Sequence, residues 1–195
     1  MWAAVIQCGI VGQCLSSERP LQPKALTGPL PHTTPGDPVP ETAIQDHYPD
    51  DYAQCYGCGR LNDKGLHVRS FYDGEVSTCR FTPRDEHLAI RGIVYGGLVA
   101  SIIDCHATGT AAAAATLAAG DEISPETVRR FVTAHLGVDF LAPTPAGVEL
   151  ECRAVCSEVK ARKVVVEVEL RAGEKLTARA KVICVEAPPE LFENA

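Results

Sequence analysis

The chain has 195 residues, a formal net charge of -7 and 22% charged side chains. That length suits one domain of ordinary size and leaves little room for two. An acidic balance argues against a nucleic-acid footprint, which needs a basic face to displace phosphate counterions. An anionic ligand can still be met by a local cationic patch or a helix N-terminus.

Nine cysteines punctuate the chain: Cys8, Cys14, Cys55, Cys58, Cys79, Cys105, Cys152, Cys156 and Cys184. The number is odd and several lie inside apolar runs, unlike the short loop-rich disulfide scaffolds of secreted proteins. Reduced thiols in a cytoplasmic protein are the expectation, most of them behaving as small buried hydrophobes.

Met1 to Gln13 is apolar but carries no Lys or Arg ahead of it, so it makes a poor signal peptide. Eight of the 14 prolines fall within the first 49 residues. That composition predicts a disordered tail over 1–49, a folded domain over 50–188 and a short C-terminal tail over 189–195. Cys55-x-x-Cys58 follows the tail and offers two of the four ligands a zinc site needs. No second pair of that spacing exists, so no metal is expected.

Leu66–Tyr72 and Glu75–Phe81 flank Asp73–Gly74, a strong hairpin signal. From Gly92 to Gly120 the only charged residue is Asp104, with His106 close by. Its length would allow a membrane span, but the five alanines from Ala111 contribute little transfer energy and a central acid is costly in lipid. A buried helix over about 96–119, and no membrane partner, is the expectation. Four alternating segments then read as half-buried strands: 134–140, 148–157, 164–170 and 176–184. Turn signals lie at Pro143–Gly147, Glu158–Lys160 and Ala172–Glu174. Two strands, one apolar helix and four strands define an α+β chain whose sheet must wrap the helix.

That order, with three short stretches, resembles the hotdog fold and, over residues 55–186, its PaaI-like acyl-CoA thioesterase branch. The stretches are Cys55-Tyr56-Gly57-Cys58-Gly59 with Asn62 and Gly65-Leu66, Gly92-Ile93-Val94-Tyr95-Gly96-Gly97 leading to Asp104, and Phe140-Leu141-Ala142-Pro143-Thr144-Pro145. The resemblance implies a curved antiparallel sheet of about six strands around one helix, and hydrolysis of acyl-CoA to free acid and CoA without a cofactor. It further implies a homodimer, or a dimer of dimers, in which the acid of one subunit faces the glycine of the other.

By the same resemblance Asp104 is the general base or nucleophile, the Gly96 N–H the oxyanion donor, and Thr133 the residue that positions the water. The residues themselves support this reading. A lone carboxylate in an apolar helix costs several kcal/mol unless paired. The first N–H groups of a helix lack helical partners and favour negative charge. Tyr95, the fourth catalytic candidate, departs from the family pattern, which has His before the two glycines; its hydroxyl can still donate a hydrogen bond, or its ring pack on the acyl chain. Gly97, Ser101 and Thr108 line the same helix and are substrate-contact candidates, although back-bonding to i−4 carbonyls competes for both hydroxyls. Alternation places Thr133 opposite Leu136 and Phe140 on its strand. His106 diverges from Asp104 by about 200° around the helix and reads as an interface or pocket-wall residue. Arg162 and Lys163 at a turn, or Arg129–Arg130, are candidates for the CoA phosphates. A non-catalytic acyl-CoA-binding module and a hotdog dehydratase or hydratase are the alternative functions.

Overall fold

The computed structural model describes residues 41–188; the expectations for 1–40 and 189–195 lie outside them. The elements are β1 (Ser70–Tyr72), β2 (Val76–Phe81), β3 (Leu88–Ile90), β4 (Ile93–Val94), α1 (Gly96–Ala118), β5 (Phe131–Phe140), β6 (Leu150–Lys160), β7 (Lys163–Ala172) and β8 (Lys175–Glu186). Six strands form one antiparallel sheet in the order β1-β2-β6-β7-β8-β5, and β3 pairs with β4 as a separate hairpin.

The helix forms where the sequence is apolar and rich in alanine, the best helix former. It stops at a glycine: Gly120 has φ +89°, and the amides of Gly120 and Asp121 return to Leu117 and Thr116. Most of α1 is buried on the sheet, with Val99, Ile102 and Ile103 meeting Leu150, Val164, Val166, Val168, Leu170 and Val182. Each such side chain contributes about 1.5–3 kcal/mol on burial. The alanines Ala111–Ala115 are also buried, so the helix can lie close to the strands. A curved antiparallel sheet around one long helix is the hotdog arrangement.

On the opposite sheet face, a row of charges alternates in sign from strand to strand. Arg153 on β6 pairs with Glu169 on β7, Glu169 with Arg179 on β8, and Arg179 with Asp139 on β5. Arg179 bonds Glu169 Oε1 at 3.0 and 3.1 Å. Opposite charges at directly paired positions support this register.

The structure corrects four local expectations. The packed chain starts ahead of residue 50: Ala43, Ile44 and Gln45 are buried, and Ile44–His47 forms a helical turn. Gln45 holds this turn by accepting the Ser70 N–H at 2.8 Å. The strand expected from Leu66 begins only at Ser70, because His67 turns to φ +54°. The amides of Leu66 and Val68 instead bond the carbonyls of Tyr56 and Gly57. Irregularities in the register, between Cys156 and Glu158 and between Thr133 and His135, break the alternation of β6 and β5. The first carries β6 on to Lys160, moving its turn to Ala161–Arg162.

Candidate active site

Three pieces of backbone hold the N-terminus of α1. The Tyr95 amide bonds the His87 carbonyl at 2.8 Å, and the Val94 amide bonds the Thr144 carbonyl at 2.9 Å. Ile93 pairs with Pro145, and Phe140 lies in van der Waals reach of a side chain at Gly96. Segments 92–97 and 140–145 are therefore packed on each other. The β3–β4 hairpin that joins them to His87 had no strong sequence signal, being only a few residues long.

Tyr95 is the N-cap, with extended dihedrals and no capping bond from its side chain. Leu98 is the first amide of the turn to bond back, to the Tyr95 carbonyl. The Gly96 and Gly97 amides precede it at the positive end of the helix dipole. Tyr95 curls over Gly97: a methyl on Gly97 would fall 2.3–2.6 Å from the tyrosine ring and hydroxyl.

Two turns further along, half-buried Asp104 accepts a hydrogen bond from Thr133 Oγ1 at 2.5 Å. Burial raises the Asp104 pKa above the ordinary carboxylate range, and the Thr133 hydroxyl opposes that shift. Strict alternation would put Thr133 on the outer face of the sheet. The bulge at Ala134 reverses the parity, so Thr133 shares the helix-facing side with Leu136 and Val138.

The remaining candidates are placed differently. Ser101 donates to the Gly97 carbonyl at 2.8 Å, and Thr108 to the Asp104 and Cys105 carbonyls at 3.1 and 3.2 Å. Both hydroxyls thus give their hydrogens to the helix backbone. His106 is no interface or pocket-wall residue. It is fully buried, with Nδ1 2.9 Å from Ser70 Oγ, and links α1 to β1 and the Gln45 turn. Burial lowers its pKa to about 4.

The two basic groups meet at one end of the sheet. Arg129 reaches the Ala161 carbonyl at 2.7 Å and pairs with Glu186. Arg130 lies over the rings of Tyr48 and Tyr52. Lys163 is 3.5 Å from Glu158, and Arg162 is exposed on the tight turn. Thr133 pairs with Cys184 and Lys163 with Val185, so this corner lies about two strand spacings, ~10 Å, from Thr133.

Sequence reasoning missed the company of the Cys55–Cys58 pair. Cys105, next to Asp104 on α1, brings its sulfur to 3.9 Å from that of Cys55. All seven described cysteines are free thiols. The signal available was Gly57, whose lack of a side chain admits the Cys105 sulfur: a methyl there would lie 2.2 Å from it.

A helix-wrapping antiparallel sheet, with an acid–hydroxyl pair and a glycine-rich start to its helix, defines a hotdog protein. The family model described as thioesterase superfamily matches residues 91–183, which span the glycines, Asp104 and Thr133. A thioesterase superfamily protein from Shewanella loihica is 44% identical over 71% of this chain and 98% of its own, with a TM-score of 0.53. The chain belongs to the thioesterase superfamily. Two more distant structures share the fold. A Haemophilus influenzae thioesterase is 12% identical over 67% of this chain and 85% of its own, TM-score 0.54. The Escherichia coli PaaI protein of the phenylacetic acid degradation operon is 17% identical over 63% and 81%, TM-score 0.52. No curated protein matches the chain.

Proposed function

We propose that the protein is a PaaI-like acyl-CoA thioesterase, releasing a free acid and CoA. The observation that carries this reading is the carboxylate of Asp104, held by Thr133 on a helix whose first amides are glycine amides. As general base, Asp104 takes a proton from water while the water oxygen attacks the thioester carbon. The carbonyl oxygen becomes an oxyanion, stabilised by the Gly96 N–H and the helix dipole. Collapse breaks the C–S bond, and the departing CoA thiolate takes up the proton that Asp104 received. As nucleophile, Asp104 would instead form an anhydride that water then opens. The exposed turn at Arg162 and Lys163 supplies cations for the CoA phosphates.

Gly96 and Asp104 are eight residues apart on one helix, about 12 Å along its axis. One thioester carbonyl cannot meet both groups from the same chain. This distance supports a homodimer in which Asp104 of one copy faces the helix start of another.

Thiol release from a panel of acyl-CoAs, measured for wild type, Asp104→Asn and Asp104→Ala, tests the reading. Loss of about 10²-fold or more in kcat in both variants, with folding intact, is expected. Wild type that binds acyl-CoA without releasing thiol would leave a binding module. Hydration of an enoyl thioester in place of hydrolysis would leave a hydratase.

A further inference from the structure

We propose that Cys55, Cys58 and Cys105 form a three-thiolate site for a thiophilic divalent cation of the zinc type, its fourth position open on the Cys55 side. The three sulfurs lie within 4.8 Å of one another, and the Cys55–Cys105 separation is 3.9 Å. A tetrahedral zinc with bonds of about 2.3 Å sets its sulfurs ~3.8 Å apart, so little movement is needed to close the site. Cys55 and Cys58 have the two-residue spacing common among zinc ligands, and Cys105 supplies the third from a rigid helix.

The loop is shaped around these sulfurs. The Gly59 amide returns to the Cys55 carbonyl at 2.8 Å, and the Leu61 amide to the Ala53 carbonyl at 2.9 Å. A methyl on Gly59 would fall 2.5 Å from both the Ala53 carbonyl and the Cys55 amide. Gly57 allows the loop to rest on the Cys105 sulfur. Cys55 is exposed and Cys105 buried, which gives the site one route of entry. On binding, the thiol protons pass to solvent, three S–metal bonds form and no electrons are transferred. Asp104 adjoins Cys105 on α1, and charge at Cys55 reaches its carboxylate.

Cobalt(II) alone is the probe, added to the full-length protein after reduction and metal removal. The expected result is a sulfur-to-cobalt charge-transfer band that saturates at one ion per chain and is displaced by Zn2+. Cys55→Ser and Cys58→Ser, with folding checked by circular dichroism, are expected to weaken binding at least tenfold, and Cys156→Ser to leave it intact. Zn2+ is also expected to slow alkylation of Cys55 in the wild type at least tenfold, a readout that needs no variant. No band in the reduced wild type, a band indifferent to the Cys55 and Cys58 changes, or unprotected alkylation overturns the proposal.

Discussion

Thr133 gives its hydroxyl hydrogen to Asp104 Oδ1 across 2.5 Å, from a strand position that a bulge at Ala134 has turned toward the helix. A hydrogen bond to a charged group contributes about 1.5–3 kcal/mol, and losing it leaves the carboxylate mobile as well as less stabilised. Thr133→Val keeps the β-branched shape and removes the donor. It is expected to lower kcat about 10- to 150-fold with KM little changed, while Thr133→Ser retains most of the rate. Steady-state kinetics on the best acyl-CoA checks this. Equal losses in both variants would mean that the methyl, not the hydroxyl, matters.

Gly96 permits a sharper test of the oxyanion role. It is the first helical residue, where proline is well tolerated because its missing N–H has no helical partner. Tyr95 already has φ -63° and ψ 128°, the extended conformation that a following proline demands. Gly96→Pro is therefore expected to leave the thermal midpoint nearly unchanged and to reduce kcat about 10²–10³-fold. Gly96→Ala keeps the N–H, and its methyl would meet Phe140 at an ordinary 3.5 Å. Its activity is expected to stay within a few-fold of wild type.

The helix, the strands from β6 to β8 and the candidate acid are all legible in the sequence, because period and burial coincide there. Asp104 stands out as the one acid among apolar neighbours. The inward face of Thr133 is not legible, since one inserted residue at Ala134 reverses the parity and nothing about alanine announces a bulge. Lys160 belongs to β6 for the same kind of reason, a bulge beyond Cys156. Cys105 lies 50 residues from Cys55, and His106 36 residues from Ser70. Those meetings depend on how the loop and β1 fold over α1, which no local pattern encodes.

Tyr95 and Gly97 are coupled by space, and a double-mutant cycle should show it. Alanine at Gly97 gains up to about 1 kcal/mol from helix propensity but must push the tyrosine ring aside. Tyr95 is 58% exposed, so the ring can swing into solvent at small cost. Gly97→Ala is expected to be near neutral in the wild type and stabilising once Tyr95 is alanine. The interaction energy should be at least about 0.5 kcal/mol by chemical denaturation. A strictly additive cycle would show that the ring does not rest on Gly97 in solution. Tyr95→His, which clears the hydroxyl and restores the family's imidazole, is expected to raise turnover.

His106 makes the fold sensitive to acid. Fully buried beside Ser70, its imidazole is held neutral, with a pKa lowered from 6.5 to about 4 by desolvation, against a smaller opposing effect of the Ser77 backbone. Above about pH 7.5 the ring is neutral in both folded and unfolded chains, and this group adds no pH dependence. As pH falls from about 7.5 toward 4, the unfolded chain binds a proton that the folded one refuses, so stability falls. Over that window the loss approaches about 3 kcal/mol. Burial and the neighbouring Arg84 lower the His87 pKa, which acts in the same direction; Asp104, with its raised pKa, acts in the opposite one. The His106→Gln variant isolates the contribution. In metal-free protein, urea midpoints between pH 7 and 4.5 are expected to drop less steeply for this variant than for the wild type. Parallel curves would mean that the imidazole is charged inside the fold.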